Sequence, residues 1–242
     1  MRIDVLGVGF DALDRDAALD RAQAWLDGGT PRYIVTPNAE IAYAALRDAA
    51  LRDALNGADM VLPDGIGIVK ASRQLGRPLR ERVPGAEFGP GLAARMAAQG
   101  KRLYLLGAKP GVAEEAADRL RREHPGLVVC GARDGYFQDD ADVLADIARA
   151  KPDVIFVCLG APKQELWMRR NLDSVGPALM LGLGGTLDML AGRVKRAPAV
   201  FRKLGLEWLY RLAHPSRWRR AAALPRFVMA VRRQRRHEKK GR

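Results

Sequence analysis

Cysteine and histidine are scarce in this chain, and each scarcity closes off a class of chemistry. The two cysteines, Cys130 and Cys158, both lie inside apolar runs, so they read as small buried hydrophobes, not as a disulfide or a metal site. The three histidines, His124, His214 and His237, have no ligand-like spacing, and no metal centre is expected. No apolar run approaches the roughly 20 residues of a membrane span. The opening Met1-Arg2-Ile3-Asp4-Val5 lacks the long apolar region of a signal peptide, which leads to the expectation of a cytoplasmic protein. The GxGxxG fingerprint is missing after the early strands, which argues against a nucleotide-cofactor oxidoreductase. There is no internal repeat and no low-complexity linker.

Excess positive charge is likewise missing from most of the sequence. Formal net charge is +13, but residues 193–242 hold 17 Lys and Arg against 2 Asp and Glu. Of the 41 basic and 28 acidic residues in the whole chain, 24 and 26 remain for residues 1–192, so the body sits at −2 and the tail at +15. A tail of that kind suits a polyanion, either nucleic acid or an anionic membrane. With 242 residues, 48% of them hydrophobic, the chain is long enough for one large domain or a domain with an appendage.

What is present is an alternation of strands and helices. Strands are expected at 3–8, 33–35, 60–62, 103–106, 127–130, 154–159 and 178–183. Helices are expected after Asp14, over 41–55 with a break near Asp48, and over 66–75, 84–99, 110–123, 139–150 and 164–172. That order implies parallel βαβ units, hence an α/β fold: a Rossmann-like, mainly parallel sheet with helices on both faces. After Gly192 the pattern changes. Phe201, Leu204, Trp208 and Leu212 recur at helical spacing, as a helix docked on the body would. After Pro225, Phe227, Val228 and Val231 share a helical face among arginines, which suits a helix lying in a membrane interface. The division expected is a catalytic domain over 1–192 and a basic helical, membrane-associating appendage over 193–242.

Candidate chemistry gathers where strands end. The apolar run Val61-Leu62 ends in Pro63-Asp64-Gly65, placing a carboxylate at the sheet's rim, where ligands bind in open α/β sheets. A helix cap is an equally good local reading of Asp64. Thr36 and Asn38 follow a second strand and Gln164 a third, so the rim is polar with one good base candidate, suited to a hydroxyl-rich ligand such as a sugar. Arg82 adds a cation able to face phosphates. Gly107-Ala108-Lys109-Pro110-Gly111 is read as an ordinary strand-to-helix turn. The triplets Asp14-Arg15-Asp16 and Asp140-Ala141-Asp142 are read as helix starts, not metal ligands.

Several motifs then stand in order: Thr36-x-Asn38-x-Glu40, Pro63-Asp64-Gly65, the loop with Arg82, Gly135-Tyr136-Phe137, Gly160-x-Pro162-x-Gln164-Glu165, the run 207–212, and Pro215-x-Arg217-x-x-Arg220. Together they resemble the WecG/TagA/CpsF family of bacterial glycosyltransferases over nearly the whole chain. The resemblance implies an inverting, metal-independent transfer without a cofactor. The donor would be a UDP-sugar carrying N-acetylmannosamine, its uronic acid or glucose. The acceptor would be a polyprenyl-diphosphate-linked sugar at the inner face of the cell membrane, in the synthesis of a cell-surface polysaccharide. It assigns Asp64 as general base, Thr36, Asn38 and Gln164 to the sugar site, and Arg82 to the active site. Arg211, Arg217 and Arg220 match the C-terminal arginines that complete the site. Tyr136 and Phe137 are candidates to stack on uracil, with core packing favoured for at least one of them.

These assignments lead to a further expectation, that membrane contact orders the tail and so assembles the site. The rival reading is an α/β nucleic-acid-binding protein whose tail neutralises phosphates. It accounts for the charge but not the polar rim, so nucleic acid is not expected as a partner. The oligomeric state is left open, a homo-oligomer included.

Overall fold

The computed structural model describes residues 1–194 and 223–240. The chain opens with an antiparallel hairpin, β1 (Arg2–Val5) and β2 (Val8–Asp11), where the sequence suggested a single strand. The turn residues Leu6 and Gly7 include no Asn-Gly or Pro signal, which hides the turn. Leu6 and Gly7 both take positive φ, 58° and 80°, as a two-residue hairpin turn that follows the strand twist requires.

Six further strands form one sheet: β3 (Arg32–Val35), β4 (Met60–Val61), β5 (Arg102–Gly107), β6 (Val128–Arg133), β7 (Val154–Cys158) and β8 (Leu179–Gly182). Their order is β4-β3-β8-β7-β5-β6, and every neighbouring pair is parallel. The inner strands are apolar at successive positions because both sheet faces are covered. Along β7, Ile155 and Val157 enter one core while Val154 and Phe156 enter the other.

The helices among the described residues are, in chain order, α1 (Arg15–Trp25), α2 (Ala39–Ala44), α3 (Ala49–Asn56), α4 (Ile66–Gln74), α5 (Gly85–Ala97), α6 (Val112–Glu123), α7 (Asp140–Ala150), α8 (Lys163–Arg170), α9 (Thr186–Leu190) and α10 (Ala223–Lys240). The core on one sheet face takes residues from α2, α3, α4, α7, α8, α10 and the hairpin. The core on the other takes residues from α1, α5, α6 and α9. The expected α/β architecture is what forms.

Local chemistry explains the boundaries. Asp48 breaks the helix expected over 41–55, because its Oδ1 accepts the Leu51 N–H at 2.9 Å and caps α3. Asp14 caps α1 in the same way, and Asp140 lies in the first turn of α7 behind its cap Asp139, so both acidic triplets are helix starts. Pro110 stays outside α6, which begins beyond Gly111, a left-handed residue at φ 82°. The short α9 was not foreseen; five residues are too few to show a helical period. Cys158 is buried, and burial pushes its thiol up to about 12; burial also raises the thiol of the half-buried Cys130. Cys158 is the buried small hydrophobe expected, whereas Cys130 is only partly buried, packed against the core.

The last helix overturns one expectation. Phe227 and Val231, with 3% and 1% of their surface exposed, belong to the body's core alongside Ala42 and Ala45. Gln234 extends the same helical face: its Nε2 donates to Asp4 Oδ1 at 2.6 Å and its Oε1 accepts the Leu6 N–H at 2.9 Å. Glu238 continues the stripe with an ion pair to Arg77 at 2.6 Å. The apolar stripe assigned to a membrane interface is therefore the face that docks α10 on the protein. The sequence pattern was right about the helix and its face, but an apolar stripe reads alike to a bilayer and to a protein surface. The expected helix carrying Phe201, Leu204, Trp208 and Leu212 lies outside the described residues, as do Arg211, Arg217 and Arg220.

Candidate active site

Four adjacent strands, β4, β3, β8 and β7, end on one edge of the sheet, and the loops beyond β3, β4 and β7 lead to the polar residues Thr36, Asn38, Asp64 and Gln164. Hydrogen bonds between the loops fix their relative positions. The Asp64 N–H donates to Pro37 O at 3.2 Å, joining the loops after β4 and β3. The Val83 N–H donates to Pro63 O at 2.9 Å, which draws Arg82 to the same corner. Thr36 Oγ1 donates to Gly182 O at 2.9 Å, joining β3 to the end of β8. Gln164 Oε1 accepts the Gly184 N–H at 3.0 Å, joining the loop after β8 to α8. Thr36, Asn38, Asp64, Arg82 and Gln164 thus come from distant stretches of chain to one rim.

Each side chain has a distinct situation. Asp64 is partly exposed. Helix α4 starts from Gly65, at φ 105° and with no side chain to cap it, so capping is not the role of Asp64. Asn38 is a cap: its Oδ1 accepts the N–H groups of Glu40 and Ile41 at 2.9 and 3.1 Å, which leaves the amide nitrogen as the group it can offer a ligand. Arg82 lies 3.6 Å from Glu87 Oε1, an ion pair that holds the guanidinium along the start of α5. Thr36 and Gln164 are almost wholly buried and double as structural ties.

Gln164 sits where it does because β8 ends in glycine. A Cβ at Gly182 would lie 2.7 Å from Met168 Cε and 3.2 Å from Gln164 Nε2, so a larger residue would displace the amide. Gln164 Nε2 donates to Glu165 Oε1 at 2.9 Å. Glu165 is fully buried, and its Oε2 has no hydrogen-bond partner among the described residues. Burial holds this carboxyl above the ordinary carboxylate range, against the smaller opposing effect of the Gln164 hydrogen bond. Sequence reading treated Glu165 only as part of a motif, since acidic residues in a first helical turn are ordinarily solvated.

Tyr136 belongs to the other end of the rim. Its loop follows the edge strand β6, yet Gly135 N–H donates to Ala108 O at 2.9 Å and Lys163 Nζ donates to Gly135 O at 2.9 Å, folding the loop back over β5 and β7. Tyr136 is 69% exposed, whereas Phe137 packs on the core with Lys163 Nζ 4.6 Å from its ring centre. At a strand spacing of about 4.8 Å this loop stands roughly 15–20 Å from Asp64. The rim is elongated, with a carboxylate at one end and an exposed aromatic at the other.

A family model described as the glycosyl transferase WecG/TagA/CpsF family matches residues 3–241. The chain belongs to this family. Among its curated relatives are proteins named N-acetylglucosaminyldiphosphoundecaprenol N-acetyl-β-D-mannosaminyltransferase from three organisms. That of Bacillus spizizenii is 39% identical over 86% of this chain and 81% of its own. That of Bacillus subtilis is 37% identical over 89% and 84%. That of Staphylococcus aureus is 34% identical over 99% and 95%. For a WecG/TagA/CpsF glycosyltransferase the polar strand ends are the place to look for sugar transfer. Among the described residues no group of three or more His, Cys, Asp and Glu side chains is arranged to hold a metal ion.

Proposed function

We propose that the protein transfers N-acetylmannosamine from a UDP-sugar, with inversion and without a metal, to N-acetylglucosamine on a polyprenyl diphosphate. The observation that carries the reading is the convergence of Thr36, Asn38, Asp64 and Gln164 from the stretches after three strands, β3, β4 and β7, on one edge of the sheet, in a chain whose relatives are named as mannosaminyltransferases acting on a diphosphoundecaprenol-linked N-acetylglucosamine. In this reading the acceptor hydroxyl oxygen bonds to the anomeric carbon of the donor. The bond to UDP breaks, its electron pair leaving with the diphosphate, and the hydroxyl proton passes to the Asp64 carboxylate. Asn38 and Gln164 orient the sugar through their amides, and Tyr136 offers a face for the uracil.

The charge that builds on the leaving diphosphate needs an offset. Arg82 stands at the same corner as Asp64, and helices α4 and α5 both begin at the rim without a side-chain cap, so their positive ends face the same space. Arg211, Arg217 and Arg220 would complete this set. Among the described residues no helix is long and apolar enough to cross a membrane. A lipid-linked acceptor then calls for peripheral binding at the inner membrane face, and the basic residues of 193–242 are suited to it.

The test is an assay of purified protein against a panel of UDP-sugars with a lipid-linked N-acetylglucosamine acceptor. UDP-N-acetylmannosamine should be the preferred donor, and the product should carry the inverted anomeric linkage. Preference for another donor would move the specificity, and retention of configuration would remove the single-displacement mechanism.

A further inference from the structure

Glu165 is a buried carboxyl that the mechanism above leaves without a task. It stands in the first turn of α8, next in the chain to Gln164, one of the residues gathered at the rim. Consecutive side chains on a helix point about 100° apart and do not ordinarily meet. Here they do: Gln164 Nε2 donates to Glu165 Oε1 at 2.9 Å, and the two residues are only 3% and 0% exposed. Glu165 Oε2 has lost its water and found no hydrogen-bond partner among the described residues, which costs stability. An apolar side chain would fill the same space without that cost, so the carboxyl has to be of use through the bond it does make.

That bond is half of a lock on the Gln164 amide. The other half is the Gly184 N–H, which donates to Gln164 Oε1 at 3.0 Å. A donor is thus held against the amide oxygen and an acceptor against the amide nitrogen. Turned over, the amide would set its NH2 against the Gly184 N–H and its oxygen against the Glu165 oxygen, so one orientation is selected. The nitrogen is also fixed in place. A Cβ on Gly182 would lie 3.2 Å from Nε2, and Gly182 O accepts the Thr36 hydroxyl at 2.9 Å, so Nε2 stands at the strand end to which Thr36 is tied. With one N–H given to Glu165, Nε2 keeps its second N–H for a ligand. Burial also moves Glu165 toward the neutral acid, whose carbonyl oxygen accepts as before and whose shape a glutamine side chain copies.

We propose that Glu165 is a positioning residue for the transfer: its Oε1 holds the Gln164 amide in the one orientation that presents an N–H to the donor sugar. The inference rests on the proposed function for the sugar, and on the geometry alone for the lock.

The experiment compares, in the full chain, Glu165→Gln, which keeps an acceptor oxygen, with Glu165→Met, which fills the space without one. Both are made again in a Gln164→Leu background. Transfer from UDP-N-acetylmannosamine gives KM and kcat, and thermal melting reports the fold. The side-chain amide NMR signals of Gln164, assigned by their loss in Gln164→Leu, report the lock directly. Glu165→Met should lower kcat/KM for the donor at least about tenfold, while its melting temperature holds or rises because an unpartnered oxygen is gone. Glu165→Gln should stay within about threefold of wild type. In the Gln164→Leu background the methionine change should cost nothing further, since the group it positions is absent. The Gln164 amide protons should exchange slowly in wild type and Glu165→Gln, and faster in Glu165→Met. Glu165→Asp, whose carboxyl is drawn back by one methylene, should show the same loss and takes the place of the methionine variant if that does not fold. Wild-type kinetics in Glu165→Met, equal losses in the glutamine and methionine variants, or the same fold-loss in both backgrounds would each overturn the proposal. A wild type that transfers nothing would refute the proposed function instead. The amide signals would then decide the lock, and their being unaltered in Glu165→Met would overturn it.

Discussion

Replacing Phe227 with Ala tests whether α10 is a docked part of the protein. The side chain is 3% exposed and packs with Val231 into the core that includes Ala42 and Ala45 of α2. Buried Phe→Ala changes cost about 3–5 kcal/mol, and the lower end applies here because one helix can shift to close part of the space. A loss of about 3 kcal/mol is roughly two decades in an equilibrium constant. Among the described residues α10 is otherwise held by the partly buried Val228 and Ala230, by two hydrogen bonds between Gln234 and the hairpin, worth about 1 kcal/mol each, and by the half-exposed Arg77–Glu238 ion pair, worth about 0–1 kcal/mol. The loss should therefore appear as local opening, while the central strands keep their protection. Hydrogen exchange read by mass spectrometry is the assay. Amides of α10, and the Leu6 N–H that Gln234 accepts, should exchange about a hundredfold faster, while β5 and β7 are unchanged. Wild-type exchange rates along α10 would refute the argument from packing. Equal acceleration in β5 would show that α10 opens only with the whole protein.

Asp64→Asn should lower the transfer rate constant by at least about a hundredfold with little change in melting temperature, since Asp64 does not cap α4; near-normal turnover would remove it as the base. Asn38→Asp separates capping from sugar contact: Asp caps as well as Asn, so stability should hold within about 0.5 kcal/mol, while loss of the amide donor should raise KM for the donor sugar. Unaltered kinetics would leave Asn38 as a cap alone. Glu165→Gln concerns pH. Burial raises the Glu165 carboxyl above its ordinary 4.5, so the folded protein keeps a proton that the unfolded chain releases, and wild-type stability falls as pH rises from 4.5 through the raised value. Gln has no such proton, so the melting temperature of the variant relative to wild type should climb over that range. A difference that stays constant with pH would show that Glu165 does not carry the effect.

Much of the rim was legible because buried parallel strands are written as short apolar runs, and a run that stops at Thr36 or Asp64 announces its end. What could not be read was direction and depth. Nothing local distinguishes an Asp in a cap position from one just ahead of it; Gly65 holds the cap position of α4, so Asp64 stands before it. Asn38 turned out to cap α2, a role the sequence reading did not give it, since a cap and a sugar-site amide are written with the same residue type. Glu165 entered the sequence reading only as part of a motif, and only the packing of α8 against β8 and β7 reveals it as buried. Phe227 and Val231 were read correctly as one face, but the partner of that face depends on α2, some 185 residues earlier in the chain. The hairpin was missed because Leu6-Gly7 carries none of the usual two-residue turn signals, and the phase change of the apolar residues from Val5 to Leu6 is the one mark it leaves.

The strand order has a consequence for how the protein is made. The pair β4-β3 and the trio β7-β5-β6 have no common edge until β8 lies between them, and β8 is the last strand of the sheet to be synthesised. Gly182 then pairs with Val35 on one side and Val157 on the other. A nascent chain that has not yet released residues 179–182 from the ribosome holds two separate sheet fragments, each with an apolar edge open to wrong partners. Thr36 and Asp64 belong to one fragment and Gln164 to the other, so an incomplete chain has no assembled rim. The closing strand assembles the rim and covers both open edges in a single late event in biosynthesis.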